Sequence, residues 1–372
     1  MSIDISVVLD TGSKNTKAGF AGESFPRCIF PTTVARTRYE ALSHSPEIYF
    51  GKEAVQKRGI SKLTWPVHRG MIEDWDEMEK LWHHLFYREL HVAPEISPTL
   101  VAVHPLTPKR DKERIAEILF ESFIVKDLYL ASSPALVVHA SGRTTGVVYE
   151  NGYSCSYTTP VFEGFPLKHA TVSSEINGKL LTERLQHLLK GVGYCFTTPH
   201  EFDLLDQMKE NLCFIPNDYE AEVNEFAFSK EKVQYELPDG QHVIIGDERF
   251  RCPEVLFQPS LHGLTCPNIV DDLRLSISRS DLDYKALFYN NIILSGGSSM
   301  IKGLPDRLFL EMRKRATDSC ELNAKIDAMP SRNIAAWVGG SILASLSSYK
   351  DFWMSREEYE DAGSDRVHYK FF

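Results

Sequence analysis

The sequence predicts an α/β protein built from two related domains, and three observations predict it. Strand-like apolar runs alternate with amphipathic segments of helical length along the chain, the pattern of helices packed on mixed sheets. A strand, tight turn and return strand at residues 7–19 recurs at residues 145–163, about one domain length later, and recurrence of a whole device points to duplication. The 372 residues are enough for two cores.

In the first device the run Val7-Val8-Leu9 ends in Asp10, turns through Thr11-Gly12-Ser13 and returns through Lys17 to Gly19. Backbone N–H groups of such a turn converge on an anion. Ser13 adds a hydroxyl donor, Lys17 a positive charge, and Asp10 can hold a hydrated divalent cation. Those groups suit a nucleotide phosphate with its metal. Asp-x-Gly-Ser alone is short enough to be an ordinary edge hairpin, and the second copy decides. There a strand ends in Glu150-Asn151-Gly152, and Ser154 to Glu163 form the return. Two such hairpins facing each other would clamp a nucleotide.

Between and after them the elements follow in order. Arg27–Pro31 reads as a strand stopped by proline, residues 37–50 as a polar surface loop leading into the strand Ile48-Tyr49-Phe50 and a turn at Gly51. Met78, Leu81, Trp82, Leu85, Phe86 and Leu90 fall at helical spacing over 76–90, with Asp74 as cap, so His83 and His84 belong to a core-packing helix. Thr99–Val103 is a strand, 109–123 a charged-faced helix, Leu128–Leu130 a strand and 134–141 a short helix. In the second half, 177–191 and 202–212 are helices, and Pro238-Asp239-Gly240 marks a hairpin. The strand 291–295 feeds the Gly296-Gly297 turn, where a flat ligand can approach backbone that carries no Cβ, and a helix follows over 304–315.

Composition bounds the rest. Apolar residues at 43% and charged residues at 25% are ordinary for a globular chain, and no apolar run approaches the roughly 20 residues of a membrane span. The amino terminus lacks a basic region, so no secretory signal is read. A formal charge of −10 argues against direct nucleic-acid binding. The seven cysteines are scattered without metal-like spacing, which predicts mostly buried, reduced thiols.

The stretches VLDTGSKNTKAGFAG (from Val7), ASGRTTG (140–146), YELPDGQHVIIGDERFRCPEVLFQPS (235–260), ILSGGSSM (293–300), WVGGSILASLSSYKDFWMSREEY (337–359) and the ending VHYKFF together resemble the actin family nearly end to end. The resemblance implies the actin-like ATPase fold, duplicated ribonuclease-H-like α/β domains around a nucleotide cleft. It divides the chain into 1–140 plus 334–372, carrying an inserted subdomain at about 33–69, and 141–333, carrying one at about 178–258. It implies ATP or ADP with Mg2+ as ligand. The family's phosphate contacts fall on Asp10, Gly12, Ser13 and Lys17, and again on Glu150 and Gly152. The adenine side falls on Lys209, Glu210, Gly296, Gly297 and Met300, and the metal on Asp10 through water and on Glu150.

Departures from the family pattern cluster on one function. The usual D-S-G-D-G of the second hairpin is Glu150-Asn151-Gly152-Tyr153-Ser154, the glutamine that orients the attacking water falls at Ser133, before Pro134, and the assisting histidine falls at Tyr157. A glutamate's extra methylene moves its carboxylate by about 1.5 Å, which matters in a preorganised site. Hydrolysis is therefore expected to be crippled. Binding is expected to be weakened as well, by Ile301 where the family stacks a tyrosine and Asn333 where it places a lysine.

Assembly surfaces depart too. The pole loop Tyr39–Glu47 and the plug region 261–269 share little with the family's versions, which puts an ordinary homopolymer in doubt. The cleft used for partner helices keeps Leu343, Leu346 and Phe352, with His139 at the usual tyrosine, and implies cytoskeletal or actin-binding partners. The expected protein is a divergent actin-related one with a cytoskeletal or scaffolding role, cytoplasmic. A conventional polymerising ATPase and a nuclear chromatin-remodelling subunit are the alternatives.

Overall fold

A computed structural model of the chain describes residues 5–37 and 47–371. It is mixed α/β and divides into two compact units, residues 1–145, 161–168 and 334–372, and residues 146–160 and 169–333.

The first unit is organised on a six-stranded sheet. Its order is Met354–Ser355, Asp127–Ser132, Thr99–Val103, Val7–Thr11, Asn15–Phe20, Cys28–Pro31. Val7–Thr11, Thr99–Val103 and Asp127–Ser132 are mutually parallel, and Asn15–Phe20 returns antiparallel with Asp10 opposite Lys17. Period two sends Val7, Leu9, Val101, Leu128 and Leu130 to one face, against Met78, Leu81, Trp82, Ile115 and Leu119. Val8, Leu100 and Ala131 go to the other, against Leu136, Trp337 and Leu343. Helices cover both faces, which is why these strands read as unbroken apolar runs. The Trp337 indole N–H donates to the Val8 carbonyl at 3.0 Å, satisfying the one polar atom of a fully buried side chain.

Asp74 caps the helix Trp75–His84 by accepting from the Glu77 N–H at 3.0 Å, as the sequence predicts. The expected helices over 76–90 and 109–123 both differ at their ends, where Leu85–Glu89 and Ile118–Ser122 widen into a π turn. The cause is the same in each: His91 and Ile124 turn left-handed (φ 55° and 56°), so that the Val92 and Val125 N–H groups reach back to the Phe86 and Leu119 carbonyls, each at 3.0 Å. Gly51, read as a turn, instead opens the helix Gly51–Gln56. The strands Val34–Thr37, Ile48–Phe50 and Ser61–Thr64 form a separate three-stranded sheet. Most of the Tyr39–Glu47 loop lies outside the described residues.

The second unit holds the strands Gly146–Asn151, Ile292–Ser295 and Ile326–Asp327 and residues 156–160 of the strand Ser156–Phe162, with Val172–Ser174 paired to the start of that strand. Asn177 caps Gly178–Gly191, and a capping box of Thr198 and Glu201 starts the next helix at Pro199, three residues before the expected Phe202. The helix Tyr219–Ser229 was not expected. It buries no residue, so it has no apolar stripe to read. In the plug region Leu264 follows a left-handed Gly263, and Asn268 caps Ile269–Ser278. The expectation of mostly buried cysteines is not met. Cys213 and Cys252 are buried, Cys195 is exposed and the other four are half-buried, all free. Among the described residues no helix is long and apolar enough to cross a membrane.

Candidate functional site

In the first unit three parallel strands end side by side, Asp10 in register with Ala102 and Ala131. The crevice beyond the carboxyl ends of parallel strands is where open α/β sheets bind ligands, and the predicted residues lie there. Lys17 pairs with the Asp10 carboxylate at 2.6 Å, both mostly buried. The turn is shaped by the Gly12 N–H on the Asn15 carbonyl at 3.1 Å, and Thr32 supports it from behind, donating to the Gly12 carbonyl at 2.7 Å. The Ser13 hydroxyl lies 3.4 Å from the Gly70 N–H. The Thr11 hydroxyl is buried without a hydrogen-bond partner, a donor at the mouth of the turn. A cation and hydroxyls around a glycine turn, with a carboxylate behind them, fit a phosphate and its divalent metal.

Ser133 opens the helix Ser133–Ala140 directly after the strand Asp127–Ser132, and only 7% of it is exposed. Pro134 fixes that helix start, so the short Ser133 side chain has little freedom to reach outward. His104, which the sequence reading passed over, directly follows the middle strand, and burial pulls its imidazole down to about 4, leaving it neutral at pH 7. Its signal was a histidine at the end of an apolar run, on the same strand edge as Asp10.

In the second unit the Gly152 N–H closes the hairpin on the Cys155 carbonyl at 2.9 Å. The two departures meet here. The Tyr157 hydroxyl, on a side chain 2% exposed, donates to the Glu150 carboxylate at 2.6 Å. Glu150 and Tyr157 share a face of the hairpin, and the longer carboxylate reaches the phenol. The Gly296 turn is stitched to the same hairpin: Gly296 has φ 90°, and a Cβ there would lie 2.3 Å from the Asn151 carbonyl oxygen, so only glycine fits. Ser298 donates to the Gly152 carbonyl at 3.1 Å.

Lys209 is 3% exposed. It pairs with Asp206 and donates to the Gly178 carbonyl and the Thr182 hydroxyl, each at 2.8 Å. Three acceptors occupy its three N–H donors, so Lys209 positions the helix Gly178–Gly191 and has no donor left for a ligand. Glu210, Gly297 and Met300 are accessible, Asn333 is exposed, and Ile301 is buried.

The partner-cleft residues all belong to the first unit. His139 packs against Gly164, and burial lowers its pKa. Leu346 and Phe352 are 44% and 53% exposed and linked through Tyr349, whose ring lies 5.1 Å from that of Phe352. Leu343 is 3% exposed and packs with Val8 and Trp337, so it belongs to the core rather than to a docking surface. A family model described as Actin matches residues 4–372.

Proposed function

Because the chain belongs to the actin family, we propose that it is a divergent actin-related protein of cytoskeletal or scaffolding role, in the cytoplasm, which binds ATP or ADP with Mg2+ structurally and hydrolyses it weakly or not at all. The observation that carries this reading is the hydrogen bond from Tyr157 to Glu150 at 2.6 Å. Bound nucleotide would supply a polyphosphate charge and its divalent cation. In the first unit Asp10 would hold such a cation through water, and Lys17, Ser13 and the turn N–H groups would meet phosphate oxygens; in the second unit Glu150 would offer its carboxylate to a cation. In the second unit Gly152, Gly296, Gly297, Met300 and Glu210 are the residues that the family resemblance assigns to the nucleotide.

Hydrolysis needs a water held in line and a group to take its proton. Ser133 is short and buried at a helix start. Tyr157 commits its proton to Glu150, and a phenol that donates its proton is not a base for the attacking water. Purified protein is expected to melt higher with ATP and Mg2+, since a ligand at 100 times its Kd contributes about 2.7 kcal/mol, while phosphate release stays at the blank. Lys17→Ala should weaken binding about tenfold or more, the worth of a charge-assisted hydrogen bond. Ser133→Gln with Tyr157→His should raise phosphate release. No thermal shift at millimolar nucleotide overturns the binding half, and turnover by the unmodified protein overturns the other.

The scaffolding role rests on Leu346 and Phe352, exposed apolar side chains suited to a partner's apolar helix face, and on the altered 264–268 segment. About 1.4 kcal/mol lost per repeated contact raises a critical concentration tenfold. The protein is expected to stay in the supernatant after salt, Mg2+ and ATP are added at micromolar concentration. Long filaments in the pellet would instead favour a conventional polymerising ATPase.

A further inference from the structure

The second unit buries a polar cluster on the face of its sheet opposite to Glu150 and Tyr157. Period two places Tyr149 and Asn151 of one strand and Ser156 and Thr158 of the next on that face, and Ser174 pairs in register with Ser156. The helix Ile269–Ser278 covers them. Its Ser276 donates to the Ala170 carbonyl at 2.8 Å, and one turn earlier Asp272 meets the Ser174 hydroxyl and acts on the Tyr149 phenol. Asn151 Nδ2 donates to that phenol oxygen at 3.2 Å.

The cluster is buried and incompletely satisfied. Asn151 and Thr158 are 0% exposed, Ser156 and Asp272 2%. Asn151 Oδ1, Thr158 Oγ1 and Asp272 Oδ2 are buried without hydrogen-bond partners, while Ser156 lies against the Tyr149 phenol. Leaving such atoms unpaired is costly, so three of them on one covered sheet face call for a common partner. Nor does the carboxylate have a counter-charge. The groups acting on it are the Ser174 hydroxyl and the like charge of Asp271, and Asp272 in turn acts on Tyr149 and Cys266. No lysine or arginine is among these described groups, and burial pushes the carboxyl up to about 7.

We propose that Asp272, Asn151, Ser156 and Thr158 form a buried binding site for one monovalent metal cation, of the sodium or potassium class. Oxygen-only donors suit a hard cation rather than a thiolate- or imidazole-seeking metal. A single carboxylate balances one positive charge, whereas a divalent ion would leave a net buried charge. A water would satisfy the oxygens and leave the carboxylate uncompensated; the cation does both. This site is independent of the nucleotide reading, because it lies behind the hairpin and is tested without nucleotide.

The experiment is the melting temperature of the full chain at pH 8 in sodium, potassium or choline chloride at equal ionic strength. Sodium or potassium should raise it by about 3 °C or more over choline. The advantage should fade toward pH 5.5, where a proton takes the Asp272 carboxylate in competition. Asp272→Asn, neutral and of the same shape, should melt alike in all three salts. Should that variant fail to fold, Thr158→Val serves, and should need roughly tenfold more sodium for the same shift. Equal melting of the unmodified protein in sodium, potassium and choline overturns the site, and so does a sodium effect that survives Asp272→Asn or is unmoved in Thr158→Val. A pH effect without a salt effect would make Asp272 a proton site and also overturn it.

Discussion

Gly339→Ala is expected to destabilise the first unit by about 3 kcal/mol, although alanine in a helix is intrinsically better than glycine by about 1 kcal/mol. The helix Ala335–Ser345 crosses Ser133–Ala140 at this residue, and a Cβ at 339 would lie 1.8 Å from the Leu136 carbonyl oxygen and 2.5 Å from its carbon. Both are backbone atoms of a helix, so no rotamer change relieves the clash. The helices must part, loosening Trp337, Leu136 and Leu343, which pack together against Val8. Gly340→Ala is the control. Its Cβ would lie 2.8 Å from Val8 Cγ1, a longer approach and to a side-chain rather than a backbone atom, so the loss should be smaller. Urea unfolding of the two variants measures the contrast. A Gly339→Ala protein as stable as the parent would mean that the helices are not held this close. The effect should also reach the candidate site, because Ser133 opens the displaced helix.

The contrast between Gly339 and Asp10 shows what the sequence made legible. Asp10, Gly12, Ser13 and Lys17 follow one another within a single hairpin, and local rules place them: an apolar run, a small-residue turn, a return strand. Asp74 was equally readable as a cap, since a cap acts on N–H groups two or three residues away; Asn177, read as the first helical residue, is instead the cap. Gly339 needs a partner two hundred residues distant, and nothing local reports it. Glu150 and Tyr157 stood out singly as departures, but their hydrogen bond depends on how the turn brings the two strands together, which spacing alone leaves open. Lys209 was read as facing a ligand. Its ion pair with Asp206, three residues earlier on the same helix, is a local relation that helical spacing offers. Leu343, which the resemblance assigned to a partner cleft, is part of the core, and nothing local to the sequence distinguishes the two. The Asp272 cluster was invisible for a further reason: serine, threonine and asparagine at alternate strand positions read as a solvated face until a helix is seen to cover them.

The second large effect belongs to the second unit. Arg307 and Glu254 are 5% and 0% exposed and joined by two hydrogen bonds, at 3.0 and 3.3 Å. Arg307 also donates to the Pro216 carbonyl at 3.1 Å and to Glu311 at 3.0 Å, and its guanidinium lies 4.9 Å from the Phe257 ring centre. Four of its five N–H donors are thus engaged and Phe257 covers one face, and Gln258 fills out the Glu254 carboxylate at 3.0 Å. Burial pushes the Glu254 carboxyl up against the opposing pull of Arg307. Removing the carboxylate alone strands a buried cation with Glu311, which it shares with Lys314 at 3.2 Å. Glu254→Ala is therefore expected to cost about 3–5 kcal/mol, while replacing both members by apolar residues of similar volume, Glu254→Leu with Arg307→Met, should recover most of that loss. Glu311→Ala should cost less, because the bidentate contact survives it. The three unfolding curves discriminate among causes. If Glu254→Ala falls within about 1 kcal/mol of the parent, the pair behaves as a solvated surface bridge. If the double variant is worse than the single one, the groups are held for their shape rather than their charge, and the coupling energy between them is the number that decides.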